Sequence, residues 1–131
     1  MTTQITLIRH AAIATEFDGH YIGRSDVPLS ADGRQQAERL VRHLNRPGFP
    51  AIDALWCSPA QRARQTAEPL IRQSLCPVTI DERLQEINFG AWEGLNFAQI
   101  LRNDPQSVNQ WAAFAEDFRF PAGESLKQFP T

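Results

Sequence analysis

The sequence predicts an α/β domain of three layers, in which a mostly parallel sheet carries helices on both faces. Three short apolar runs, at residues 5–8, 52–57 and 78–80, have the length of buried strands. Segments with helical apolar spacing separate them, and strand–helix–strand units of this kind hold their strands parallel. The 131 residues, 42% of them hydrophobic and 21% charged, fit one such domain over residues 1–131.

The first apolar run ends in a cation and an imidazole. Ile5, Leu7 and Ile8 predict a strand buried on both faces, and Arg9 and His10 follow directly. Ligands of open α/β sheets bind at the carboxyl ends of the strands, so this pair is a candidate site. For the pair alone, an arginine that caps a strand and a histidine of the core are the simpler interpretation, but the later motifs favour a site.

A long connection and a helix follow the first strand. Residues 11–29 form a connection whose length is typical of a functional loop. Ser30 is a good N-cap for the helix, and the apolar spacing of residues 37–44 places one face of it against a core. The prolines and the glycine of residues 45–50 end it.

The second strand, residues 52–57, runs directly into a helix that starts with a serine N-cap and a proline at residues 58–59. We expect this helix to kink or end at Pro69. Arg62 lies in its first turn and therefore at the same sheet edge as His10. A solvated helix residue is the alternative interpretation of Arg62.

The third strand, residues 78–80, is followed by Glu86, again at the same edge. A surface carboxylate is the alternative for this residue. The glycines and aromatic residues of 84–94 predict a tight, packed loop. Two further helices are predicted over residues 96–101 and 108–115.

Charge and composition exclude several classes of function. The formal net charge of −2 gives no general attraction to nucleic acid or to an anionic membrane. No apolar run is long enough to span a membrane. Cys57 and Cys76 form neither a CxxC pair nor a Cys/His cluster, so we expect no metal site, no structural disulfide and a cytoplasmic location.

The residues gathered at the predicted sheet edge suit phosphate chemistry. The guanidinium groups of Arg9 and Arg62 match the charge and geometry of a phosphate monoester. The imidazole of His10 is a nucleophile that can attack phosphorus. The carboxyl group of Glu86 can protonate the leaving oxygen, and a dianionic substrate beside it would favour its protonated form. The set requires no metal ion or cofactor.

Four stretches, in order, carry a resemblance to a known family. They are LIRH at residues 7–10, YIGRSDVPLSADGRQQA at residues 21–37, CSPAQRARQTA at residues 57–67 and LQEINFGAWEG at residues 84–94. Together they resemble the histidine phosphatase superfamily in its phosphoglycerate mutase-like branch, whose fold is the predicted three-layer α/β domain.

The resemblance implies a role for each candidate residue. His10 would be the nucleophile, Glu86 the proton donor, and Arg9 and Arg62 the phosphate-binding and catalytic cations. Ile22 and Gly23 would belong to the substrate-binding loop, where Gly23 offers a backbone contact. The implied partner is a small phosphate monoester, and the implied enzyme is independent of metal.

The chain departs from the family pattern at several positions. Ala11 stands where the family usually has glycine, and Glu16 stands where it often has asparagine, so we expect Glu16 to turn outward. The family carries a second histidine on a later strand, whereas this chain has only His20 and His43 besides the nucleophile. We therefore expect the chain to lack the C-terminal segment of the family domain.

The sequence favours a phosphatase over a mutase. A mutase needs further cations after the acid-donor motif, and only Arg102, Arg119 and Lys127 follow Gly94. The motif itself is most similar to that of the alpha-ribazole phosphatase group of cobalamin synthesis. Sugar phosphates and nucleotides remain open as substrates.

Other classes of function remain as alternatives. The chain can be a weak or inactive remnant of the same fold, or a homodimer that covers an exposed strand edge. A nucleotide-binding module is disfavoured, because no glycine-rich phosphate loop is present.

Overall fold

A computed structural model describes residues 2–73, 76–113 and 117–129. Its helices and strands are α1 (Ala31–Leu44), β1 (Leu55–Cys57), α2 (Gln61–Gln73), β2 (Val78–Ile80), α3 (Phe97–Asn103) and α4 (Pro105–Ala112). Short 3₁₀ turns lie at Thr15–Phe17, Glu82–Leu84 and Gly90–Trp92. The predicted α/β class with a parallel sheet is confirmed.

The sheet consists of β1 and β2, which pair in parallel across the α2 crossover. Leu55 lies opposite Val78, and Cys57 lies opposite Ile80. Each strand has three residues, so β1 is shorter than the predicted run of residues 52–57. Trp56, on the face opposite to its neighbours in β1, is 59% exposed.

The predicted buried strand at residues 5–8 is wrong. Ile5 is 78% exposed, Leu7 is 92% exposed, and the segment has no strand assignment. Within the described ranges, the backbone of residues 2–9 makes no hydrogen bond, so it lies outside the sheet. An apolar run expresses a tendency to be buried, but a strand also needs a neighbour for its N–H and C=O groups.

Helices α1 and α2 pack on each other and on β1. The buried side chains of this core are Val41, Leu44 and Leu70. As predicted, Ser30 caps α1, with its hydroxyl oxygen accepting from the Gly33 N–H at 3.0 Å. Pro69 does not end α2, which continues to Gln73.

A second core of aromatic and aliphatic side chains lies under α3, α4 and the loop of residues 84–94. It consists of Ile87, Trp92, Ile100, Val108, Phe118 and Phe120. Trp92 is 2% exposed, which confirms the predicted packed loop. Asn96 and Gln99 form a capping box at the start of α3. The helix predicted over residues 96–101 is confirmed as α3, and the one predicted over residues 108–115 corresponds to α4, which starts earlier, at Pro105, and ends at Ala112. Residues 114–116 lie outside the described part of the chain.

The helices of the described part are too short or too polar to cross a lipid bilayer.

Candidate active site

The segment that follows His10 is anchored by side chains of both α1 and α2. The Ala11 N–H donates to Oγ1 of Thr66 at 2.9 Å, and the Ala12 N–H donates to Oε1 of Gln36 at 2.9 Å. The Ala12 carbonyl in turn accepts from the Ser30 N–H at 2.9 Å. These contacts fix the chain directly after His10 even though residues 2–9 lie outside the sheet.

The His10 ring is oriented by its own backbone neighbour. Its Nδ1 atom lies 2.8 Å from the carbonyl oxygen of Ala11. A carbonyl oxygen only accepts, so this contact is a hydrogen bond only when Nδ1 carries the proton. The neutral ring then has its lone pair on Nε2, which is the form required of a nucleophile.

Arg62 is a buried cation and not a solvated helix residue. It is 4% exposed. Its Nη1 donates to the Ser25 carbonyl at 3.0 Å and its Nη2 donates to the Gly23 carbonyl at 2.8 Å, with the Ile22 carbonyl at 3.5 Å. Guanidinium has five N–H groups, so at least two are without a partner in the described part of the chain.

Arg9, His10, Arg62 and Glu86 line one cleft of about 400 Å³. Arg9 is exposed, and among the described residues no hydrogen bond or ion pair engages its guanidinium. Glu86 is exposed too, and its Oε1 accepts from the N–H of Ile87 at 2.9 Å. The cleft therefore brings an imidazole, two guanidinium groups and a carboxyl group to one lining, and these are groups that phosphoryl transfer can use.

The backbone of Gly23 is fully engaged within the protein. Its N–H donates to Oε2 of Glu93 at 3.1 Å, and its carbonyl accepts from Arg62. Ile22 is half-buried beside it. The roles of Ile22 and Gly23 in substrate binding remain predictions, and sequence reasoning missed Glu93 as the partner of this loop. The only signal for Glu93 was its place in the LQEINFGAWEG motif.

A smaller cleft of about 220 Å³ opens next to Glu86. Its charged lining residues are Arg24, Asp26, Glu82 and Glu86. The Arg24 guanidinium is already held by the Gln85 side chain and, at 3.2 Å, by Glu124. Carboxylates therefore dominate this neighbouring cleft.

Two further residues that the sequence singled out, Glu16 and His20, do not line the cleft of His10. Glu16 is exposed, as predicted. His20 pairs with Asn96 through an isolated bridge, and its Nδ1 lies 3.0 Å from the Asp18 carbonyl, so it does not line the cleft of His10. In the described ranges, no cluster of three or more His, Cys, Asp or Glu residues is arranged to hold a metal ion.

Comparisons with known proteins agree on one family. The sequence model of the histidine phosphatase superfamily (branch 1) matches residues 5–131. A bifunctional protein of Mycobacterium tuberculosis is 36% identical over 124 residues, which are 95% of this chain and 33% of that protein. The adenosylcobalamin/alpha-ribazole phosphatase of Escherichia coli is 32% identical over 108 residues, which are 82% of this chain and 52% of that enzyme.

Solved structures extend the likeness to the fold. The alpha-ribazole phosphatase from Shigella flexneri matches with a TM-score of 0.82 and 30% identity, over 93% of this chain and 59% of that one. The chain thus spans between about a third and three fifths of the length of these three proteins.

Proposed function

Since this chain belongs to the histidine phosphatase superfamily, we propose that it hydrolyses a small phosphate monoester through a phosphohistidine at His10. The observation that carries the proposal is the cleft where His10, Arg9, Arg62 and Glu86 come together. The His10 contact with the Ala11 carbonyl supports it, because that contact leaves Nε2 free to attack.

In the first step, Arg9 and Arg62 bind the phosphate oxygens and neutralise their charge. Nε2 of His10 forms a bond to phosphorus while the bond from phosphorus to the ester oxygen breaks. Glu86 donates its proton to the departing oxygen, so the alcohol leaves neutral. The enzyme then holds a phosphohistidine and an ionised Glu86.

In the second step, water hydrolyses the intermediate. Glu86 removes a proton from the water as its oxygen attacks phosphorus, and the bond from phosphorus to Nε2 breaks. Inorganic phosphate leaves, and both His10 and Glu86 return to their starting states. The arginines serve both steps, because charge is spread over the same phosphoryl oxygens in each transition state.

Alpha-ribazole 5′-phosphate is the substrate proposed first. The likeness to the Escherichia coli and Shigella flexneri enzymes supports it, together with the FGAWEG motif at residues 89–94. Sugar phosphates and nucleotides are the alternatives. In all three classes the phosphate is esterified to a hydroxyl group of a sugar. Comparison of kcat/KM for one monoester of each class therefore shows which class the enzyme prefers.

A mutase is the less favoured activity. Its substrates carry a second anionic group beyond the transferred phosphate. The smaller cleft next to Glu86 carries Asp26 and Glu82, and Arg24, the cation among its described lining residues, is engaged by Glu124. A second phosphate there would meet like charge, which supports a hydrolase of simple monophosphates.

An inactive remnant of the fold is the second candidate. The exposed residues 2–9 favour it, because the hydrogen bonds that the described residues make to this part of the backbone begin after His10, at Ala11. The two candidates differ in whether the cleft forms a covalent intermediate.

A covalent trap distinguishes them. The purified chain is mixed with p-nitrophenyl phosphate and quenched without acid, since phosphohistidine is acid-labile, and its intact mass is measured. We expect one added phosphoryl group. His10→Ala should abolish the adduct, while the matched change His43→Ala on the exposed face of α1 should retain it.

Two outcomes contradict the proposal. An adduct that survives in His10→Ala places the nucleophile elsewhere. The absence of any adduct, in a chain that circular dichroism shows to be folded, favours the remnant.

A further inference from the structure

The Glu93 carboxylate is the acceptor for an unusual number of hydrogen bonds. It accepts from the backbone N–H groups of Gly23, Arg24 and Ser25 at 3.1, 2.8 and 3.2 Å. It also accepts from the Ser25 hydroxyl at 2.6 Å and from the Phe89 N–H at 3.2 Å. Three successive backbone amides thus converge on one anion, and we call residues 22–25 the clamp loop.

The opposite side of the clamp loop faces Arg62. The carbonyls of Gly23 and Ser25 accept from the two terminal nitrogens of its guanidinium. The loop therefore lies between an anion that holds its N–H groups and a cation that holds its C=O groups. In the described part of the chain no ion pair joins Glu93 to Arg62, and the clamp loop is the contact that connects them.

Close packing leaves the loop little freedom. A Cβ at Gly23 would lie 2.0 Å from the Ile87 carbonyl oxygen and 2.6 Å from Oε1 of Glu93. Only glycine lets the backbone approach the carboxylate this closely. A shift of the loop away from Glu93 would move the two carbonyls that orient Arg62.

We propose that Glu93 is a positioning residue, which holds the clamp loop so that its carbonyls aim the Arg62 guanidinium at the substrate phosphate. The role rests on the proposed function, because it requires Arg62 to bind phosphate. The free N–H groups of Arg62 must be directed into the cleft within a fraction of an ångström for a bidentate contact. A carboxylate suits this task, since it only accepts hydrogen bonds and five donors point at it.

Inorganic phosphate is the probe, and isothermal titration calorimetry measures its affinity for the full 131-residue chain. Glu93→Gln keeps the shape of the side chain but places an NH₂ group against backbone N–H donors. We expect this change to weaken phosphate binding about tenfold, which is the scale of one mispositioned charge-assisted contact. The matched change Glu68→Gln, at an exposed carboxylate on α2, should leave the affinity unchanged.

A double-mutant cycle with Arg62→Ala gives the decisive readout. If Glu93 acts through Arg62, Glu93→Gln should cost less than about twofold when Arg62 is already absent. A purely structural role would instead give additive losses. Ser25→Ala, which removes one donor and leaves the carboxylate in place, should give a smaller loss with the same dependence on Arg62. It replaces Glu93→Gln in the cycle if that variant does not fold.

The outcomes separate the positioning role from the proposed function. If Arg62→Ala weakens phosphate binding and neither Glu93→Gln nor Ser25→Ala does, the positioning role alone is overturned. Additive losses overturn it as well. If Arg62→Ala leaves phosphate binding intact, or the chain binds no phosphate, the proposed function fails and the role of Glu93 fails with it.

Discussion

At the scale of single residues, Thr66 joins the segment after His10 to the helix turn that carries Arg62. Its hydroxyl accepts from the Ala11 N–H at 2.9 Å and donates to the Arg62 carbonyl at 2.7 Å. Thr66 is 6% exposed, so neither bond is readily replaced by water. One side chain of α2 thereby connects the residue after His10 to the turn of the helix that carries Arg62.

Thr66→Val tests this connection. Valine keeps the volume but leaves the Ala11 N–H without an acceptor, so the free energy of unfolding should fall by about 1–3 kcal/mol. Urea denaturation measures it, and Thr79→Val on exposed β2 is the control, where valine suits the strand and little change is expected. Equal effects of the two changes would contradict a specific role for the Thr66 hydroxyl.

The carboxyl group of Glu93 makes the free energy of unfolding depend on pH, and its contribution is lost in acid. Burial raises the pKa of its carboxyl group, but hydrogen bonds from the Ser25 hydroxyl and from the N–H groups of Arg24, Gly23 and Phe89 outweigh burial and lower this pKa below its ordinary value of 4.5. The folded state therefore binds this proton more weakly than the unfolded chain does. The stability that Glu93 contributes is complete above pH 4.5 and is lost as the pH falls through the lowered pKa.

Comparison of the wild-type chain with Glu93→Gln isolates this contribution. The difference between their free energies of unfolding should be largest at neutral pH and should shrink as the pH falls below the ordinary pKa of 4.5 and through the lowered pKa of the folded state. Urea titrations at a series of pH values measure it, and Glu82→Gln at an exposed carboxylate serves as the control. A difference that stays constant with pH would show that the ionised carboxylate is not what stabilises the clamp loop.

The candidate residues were predictable where local pattern determines position. Arg62 and Glu86 follow β1 and β2, and they line one cleft as their places after these strands led us to expect. His10 lines the same cleft although the strand expected before it does not form. Thr66 and Glu93 were not predictable as partners, because their contacts join residues 55 and about 70 positions apart. No local pattern encodes such a pairing, and the catalytic roles of the predicted residues themselves remain predictions.

At the scale of elements, the start of α1 is fitted against the segment after His10. A Cβ at Gly33 would lie 2.0 Å from the carbonyl oxygen of Ala12. That carbonyl already accepts from the N–H of Ser30, the N-cap of the helix. The absence of a side chain at Gly33 is therefore what lets the helix N-terminus approach the backbone that follows His10.

In Gly33→Ala two effects on stability oppose each other: alanine has the higher helix propensity, but its Cβ overlaps the Ala12 carbonyl oxygen. Alanine stabilises most helix positions by about 1 kcal/mol relative to glycine. Here the overlap with Ala12 should reverse the sign and destabilise the protein by about 1–3 kcal/mol. Thermal unfolding measures the effect, with Gln35→Ala on the exposed face of α1 as control. A stabilised Gly33→Ala variant would mean that α1 can shift without cost.

The elements themselves were predicted unevenly, and for a physical reason. α1 was predictable because its N-cap and its apolar stripe are local features of the sequence. Residues 5–8 carry the apolar character of a strand, yet they are exposed and unpaired. Strand formation depends on a partner elsewhere in the chain, which an apolar run does not specify. The continuation of α2 past Pro69 also depends on contacts with other parts of the chain. Pro69 is buried, and its packing outweighs the low helix propensity of proline.

At the scale of the whole molecule, the candidate site lies where two separate cores meet. Arg62 and Thr66 belong to α2, which packs with α1 and β1 in one core. Glu86 and Glu93 flank Ile87 and Trp92, which belong to the other. The clamp loop connects the two, because Arg62 holds it from one side and Glu93 from the other. The geometry of the cleft therefore depends on how these cores are joined.

The exposed apolar side chains lead to a prediction about association. Ile5, Leu7 and Trp56 are 78%, 92% and 59% exposed, and the unpaired backbone of residues 2–9 can pair with another strand. Large exposed apolar groups beside an unpaired strand edge favour contact between chains. We expect the isolated chain to form dimers or larger species at micromolar concentration.

Sedimentation velocity over a range of protein concentrations tests this prediction. Burial of one leucine contributes about 1.5–3 kcal/mol, so Leu7→Gln should weaken association at least tenfold. Leu101→Gln, at a 43% exposed leucine on α3, is the matched control and should leave association unchanged. A wild-type chain that stays monomeric throughout would show that residues 5–8 do not act as an interface in solution. If both variants weaken association equally, the contact is general hydrophobic aggregation and not pairing through this segment.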